Sequence, residues 1–89
     1  MDLADEIYKI IRLLPVEERF ALSDQMRRSA ISVPSNIAEG YERKSKKEYL
    51  QFLCIARSSR AELETQIYIC IRQNYITREE ADKAFGLCN

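Results

Sequence analysis

The sequence contains no histidine and no tryptophan among its 89 residues. Without histidine it lacks the commonest general base and the commonest metal ligand. Glycine and proline number two each, far below average usage. A strand-rich fold needs many tight turns, so their scarcity points to a few long helices. No run approaches the roughly 18 apolar residues that mark a membrane-crossing helix. The opening residues, Met1-Asp2-Leu3-Ala4-Asp5-Glu6, are acidic and lack the basic-then-apolar pattern of a signal peptide. A cytoplasmic protein without membrane contact is the expectation. The three cysteines, Cys54, Cys70 and Cys88, form no CxxC pair. That spacing indicates neither a zinc site nor a disulfide framework, and no metal or other cofactor is expected. Small buried hydrophobes or free thiols are the expected roles.

The residues that are present form an all-α pattern. Hydrophobic residues make up 46% of the chain and charged residues 31%, which fits one globular domain over residues 1–89. Leu3, Ile7, Ile10 or Ile11, and Leu14 recur at spacings of three and four and predict a first helix over residues 2–14. Asp2, Asp5 and Glu6 suit its N-terminal turn, and Pro15 ends it. A second helix is predicted from about Glu18 to about Tyr41, with Leu22, Met26, Ala30, Val33, Ile37 and Tyr41 as its apolar line. The periodicity runs straight through Pro34, which predicts one kinked helix instead of two. Ser35 or Asn36 is placed to satisfy the carbonyls that the proline frees. Gly40 suits a left-handed cap or a close backbone approach.

Ser45-Lys46-Lys47-Glu48 matches a capping box and opens a third helix that runs to about Gln73. Tyr49, Ala56, Leu63 and Cys70 recur every seven residues, like the seam of an antiparallel bundle. Ile67-Tyr68-Ile69-Cys70-Ile71 is apolar on every side. The flanking pattern favours helix over strand, and such a helix must be covered from several directions. Ile67, Tyr68, Ile69 and Ile71 are therefore candidate oligomer-interface residues. Thr77-Arg78-Glu79-Glu80 is a second capping box, opening a short fourth helix expected to stop near Phe85, before Gly86. About eight residues span only ~12 Å. That stub cannot cover the longer helices, so the chain is either a three-helix unit with a cap or is covered by another subunit.

The run Leu22-Ser23-Asp24-Gln25-Met26-Arg27-Arg28-Ser29-Ala30-Ile31-Ser32-Val33-Pro34-Ser35-Asn36-Ile37-Ala38-Glu39-Gly40 resembles one family. So does the basic capped turn Arg43-Lys44-Ser45-Lys46-Lys47-Glu48, and so does the stretch from Phe52 to Gln66. The family is that of the bacterial 23S rRNA intervening-sequence proteins, and the resemblance runs from about Asp2 to Ala84. It implies an antiparallel up-down four-helix bundle that assembles into a ring, a pentamer in members of known structure. A related branch serves as accessory proteins of diversity-generating reverse transcriptases, which implies RNA, DNA or a polymerase as partners. Two features depart from the family. Arg57 replaces a small or apolar residue, and the fourth helix is short.

Charge is uneven along the chain. Lys plus Arg and Asp plus Glu number 14 each, a net of zero, yet residues 27–60 carry eight basic and three acidic side chains. Arg27, Arg28, Arg43, Lys44, Lys46, Lys47 and Arg57 are the candidate nucleic-acid-binding residues, and phosphate contact is the chemistry they suit. The competing reading is a solvated face. Helical neighbours would neutralise it through Asp24–Arg28, Glu39–Arg43, Glu42–Lys46 if the helix persists, Lys44–Glu48 and Arg60–Glu64, while Lys47 and Arg57 have no acidic neighbour three or four residues away. Tyr41 and Tyr49 flank the turn and suit either core packing or stacking on unpaired bases.

The serines near Pro34 have no accompanying base, so nucleophilic catalysis is not supported. Pro34, Asn36 and Gly40 read as structural. Glu39 is a candidate for burial against an arginine across an interface. The leading expectation is a non-enzymatic oligomeric adaptor that binds nucleic acid. The alternative is a protein-binding scaffold without a nucleic-acid role.

Overall fold

A computed structural model describes residues 2–88. Four helices account for most of them: α1 (Asp2–Leu13), α2 (Leu22–Tyr41), α3 (Lys46–Arg72) and α4 (Arg78–Cys88). There is no strand among the described residues. Each helix packs on its chain neighbours, and α4 returns to α1, so the four close a cycle. Among the described residues the backbones of the diagonal pairs α1–α3 and α2–α4 do not come within 8 Å of each other at any Cα.

Local chemistry sets most of the boundaries. Pro15 stands in extended conformation after α1. Ser45 caps α3, with its hydroxyl oxygen accepting from the Glu48 amide at 3.1 Å. The return arm differs from a full capping box, because the Ser45 hydroxyl also donates to the Glu48 carboxylate at 3.3 Å. Thr77 and Glu80 do complete theirs. The Glu80 amide donates to Thr77 Oγ1 at 3.0 Å, and the Thr77 amide donates to Glu80 Oε1 at 2.8 Å. Asn74 terminates α3 in the left-handed region, at φ 62°. The Tyr75 amide donates to the Cys70 carbonyl and the Asn74 amide to that of Ile71. This is the Schellman pattern, with asparagine where glycine is usual.

Two boundaries depart from the sequence reading. The second helix begins at Leu22, not near Glu18. Residues Val16–Glu18 instead form a single 3-10 turn. The Tyr75 hydroxyl donates to Glu18 Oε2 at 2.7 Å, tying that turn to the α3–α4 connection. The fourth helix does not stop at Phe85 but continues through Gly86 to Cys88. Neither glycine has positive φ, so Gly86 does not act as a left-handed stop. Ala81, Ala84 and Cys88, three and four residues apart, form the buried stripe that justifies the extra turn.

The core joins Ile7 and Ile10 of α1, Met26 and Ala30 of α2, Leu63, Ile67 and Cys70 of α3, Ile76, and the buried stripe of α4. Glu6 accepts from Lys9 of its own helix at 3.1 Å and links α1 to α4 by pairing with Lys83 at 3.4 Å. The hydrogen bond from Lys9 chiefly holds its carboxyl below the usual range, against a burial penalty. Along the α2–α3 pair, partners descend one helix as they ascend the other. Gly40 lies against Tyr49 and Phe52, Ser32 against Ser59, Ser29 against Glu62 and Met26 against Cys70. The helix is continuous across Pro34. Asn36 Nδ2 donates to the Ser32 carbonyl at 2.8 Å and to its hydroxyl at 2.9 Å. It is thus the Ser32 carbonyl, not that of Ala30, that takes up the asparagine side chain.

Leu63 has no exposed surface, whereas Ile55 on the same helix is 48% exposed. Leu63→Ala should cost about 2–5 kcal/mol in urea unfolding, and Ile55→Ala roughly 0.5 kcal/mol or less. Burial pushes the Cys70 thiol up from 9.0 to about 11, with the Glu18 charge adding to it. The folded chain therefore keeps a proton that the unfolded chain releases. Stability from this group is complete below about pH 9 and falls as pH rises towards 11. The urea midpoint should decline across that window, and Cys70→Ala should flatten part of the decline.

Candidate nucleic-acid interface

The α2–α3 turn is built by its flanking helix ends. The last turn of α2 closes with the Glu42 amide donating to Glu39 and the Arg43 amide to Gly40, each at 3.1 Å. Four residues later the Ser45 cap starts α3. Gly40 allows the two ends to approach. A Cβ there would sit 3.3 Å from both Phe52 Cβ and the Tyr49 ring. Of the two roles open to this glycine, close approach is the one it plays.

The cations around this turn fall into two groups. Arg43 is engaged, pairing with Glu39 at 3.0 Å and lying over the Phe52 ring at 4.7 Å. Lys44, Lys46 and Lys47 are exposed. None of the three lies within 4.0 Å of a carboxylate among the described residues. The expected pairs Glu42–Lys46 and Lys44–Glu48 do not form. Residues 42–45 leave the helix, so a spacing of four no longer places side chains on one face. Glu48 is instead held by its cap hydrogen bonds. Over residues 39–48 four cations stand with three carboxylates. The local net charge is small, and the feature of the site is three ammonium groups without partners.

The other candidate residues lie elsewhere. Arg27 and Arg28 do not surround the turn. They sit 14 and 13 residues before Tyr41, roughly 20 Å away along α2, and share Asp24 at 3.7 and 3.0 Å. Arg57 is exposed about three turns into α3. It lines a groove of about 360 Å³ with Arg60, over Val33, Ile37, Leu50 and Leu53. The expected Arg60–Glu64 pair is absent as well. Glu39 is not buried, and its arginine partner is Arg43, in the turn that follows its own helix. Among the candidate interface residues, Ile67 is wholly buried in the chain's own core, so it cannot face another subunit. Ile71 is half-buried. Tyr68 and Ile69 are 45% and 41% exposed, with Tyr68 packed on Phe85 at 4.7 Å between ring centroids.

Tyr41 overturns the core-packing option for that residue, because it is 72% exposed. It rests on Tyr49 with ring centroids 5.8 Å apart and planes tilted by 31°. Tyr49 is half-buried. The sequence also gave no signal for the exposure of Leu13, Val16 and Phe20 at the corner between α1 and α2. No group of three or more potential metal ligands occurs among the described residues, and no helix there is long and apolar enough to cross a membrane.

Residues 1–89 match the family model described as 23S rRNA-intervening sequence protein. No curated protein matches the sequence.

Proposed function

Because the chain belongs to the 23S rRNA-intervening sequence protein family, we propose that it is a non-enzymatic, homo-oligomeric adaptor that binds nucleic acid at the α2–α3 turn. The observation that carries this reading is the set of three exposed ammonium groups on Lys44, Lys46 and Lys47, unpaired among the described residues. A phosphate backbone suits them, and such contacts carry little sequence information. Arg57 and Arg60 extend the positive surface up α3. A ring, the assembly that the resemblance implies, repeats these cations in every subunit, so a modest local charge becomes a larger field. RNA or DNA, alone or beside a polymerase such as a reverse transcriptase, is the partner class, in the cytoplasm.

The oligomeric part of the proposal is supported by uncovered apolar surface. Leu50 is 47% exposed beside the groove that Val33, Ile37 and Leu53 line. The same observation favours the second reading, a protein scaffold without nucleic acid.

Binding should fall steeply with salt. In single strands each neutralised phosphate contributes about 0.7 to the logarithmic salt slope. Replacing Lys44, Lys46 and Lys47 together by alanine should therefore lower the slope by about 2. Salt-independent binding, or an unchanged slope in the triple variant, would remove the turn from the interface. Light scattering should give a mass several times the 10.4 kDa of one chain. A monomer would dispose of the ring, and an oligomer without nucleic-acid affinity would leave the scaffold.

A further inference from the structure

We propose that the α2–α3 turn selects unpaired nucleic acid. The Tyr41 ring is the platform for one base, and the neighbouring lysines hold the flanking phosphates. This rests on the nucleic-acid reading above and narrows it to single strands.

Tyr41 closes the apolar line of α2 yet is the most exposed residue on it, at 72%. Its hydroxyl makes no hydrogen bond among the described residues. The ring therefore contributes little to the fold while presenting a flat apolar face to solvent. Tyr49 props it from behind, and Tyr49 is itself pressed against the bare backbone of Gly40. A propped ring loses little freedom when a base stacks on it. The cations beside it are available for phosphates: Lys44, Lys46 and Lys47 are exposed without ionic partners, whereas Arg43 is taken by Glu39 and Phe52.

Lysines alone bind duplex and single strand alike, since both present phosphates. An exposed aromatic face discriminates, because bases inside a duplex already stack on each other. The combination of a stacking ring with a cationic track is the chemistry of single-strand recognition.

The test measures fluorescence anisotropy of the full chain with a short labelled single-stranded RNA and with the same sequence closed as a hairpin duplex. Wild type should bind the single strand more tightly. Tyr41→Ala should lose about ten-fold on the single strand, with duplex affinity and salt slope unchanged. Tyr41→Phe should retain wild-type behaviour, because the ring is kept. If Tyr41→Ala does not fold by circular dichroism, the wild-type preference and the Tyr41→Phe result decide. Equal affinity for both RNAs, or full single-strand affinity in a folded Tyr41→Ala, overturns the stacking role. Salt-dependent binding would survive that outcome and leave the phosphate reading standing. No binding by wild type at low salt removes both.

Discussion

The structure depends on a mismatch of helix lengths. α2 and α3 have 20 and 27 residues, whereas α1 and α4 have 12 and 11. At 1.5 Å per residue the inner pair spans about 30 and 40 Å, and the outer pair under about 20 Å. Short helices cannot cover long ones along their whole length. The buried cluster accordingly draws on α2 only as far as Ala30 and on α3 only from Leu63 onward. Burial decays along each apolar line beyond that point. On α2 it runs from Met26 and Ala30, both buried, through half-buried Val33 and Ile37 to exposed Tyr41; on α3 it runs from Cys70 and Leu63 to half-buried Tyr49.

The uncovered part of the pair is held by a different chemistry. Where a bundle would place apolar side chains, Ser59 donates to Ser32 at 2.7 Å and Asn36 donates to the same serine. Small residues and hydrogen bonds bring the two backbones together without needing cover from a third helix. Ala56 and Ser59 stay buried on this basis. The close pass at Gly40 serves the same end. This arrangement frees the tip from packing duty, and a surface freed from packing can carry cations and an aromatic ring.

Legibility in the sequence follows the range of the interaction. The N-cap at Ser45 and the capping box at Thr77 lie within four residues and are readable from residue types alone; the missing return arm at Ser45 is not. The four helices and their apolar lines follow from periodicity, and the family follows from the long run between Leu22 and Gly40. The start of α2 is not readable, because Glu18 is held in its 3-10 turn by Tyr75, 57 residues away. Nor is the end of α4, where burial of Cys88 outweighs the weak helix propensity of Gly86. At the candidate site, Lys47 and Arg57 are legible as unpaired from spacing. Lys44 and Lys46 are not, because their expected partners assume a helix that breaks at residue 42. Tyr41 is misleading in sequence for a tertiary reason: its position on the apolar line is right, but Tyr49 contacts only part of it and leaves it 72% exposed.

The balanced charge also takes its meaning from this geometry. A neutral chain has no general attraction for a polyanion, and the carboxylates are not gathered at one end. Near the start of α2 a single aspartate serves two arginines, and at its end Glu39 engages Arg43. What separates the tip lysines from the arginines of α2 is pairing. Glu6 is shared by Lys9 and Lys83 at the covered end, whereas none of the three lysines at the tip lies within 4.0 Å of a carboxylate among the described residues. An unpaired ammonium keeps its hydration and surrenders it only to an incoming anion. A paired one must first give up a partner, although an exposed pair is worth only about 0–1 kcal/mol. The tip thus needs less rearrangement to receive phosphate than the arginines of equal formal charge on α2, which favours Lys44, Lys46 and Lys47 over Arg27 and Arg28 in the proposed interface.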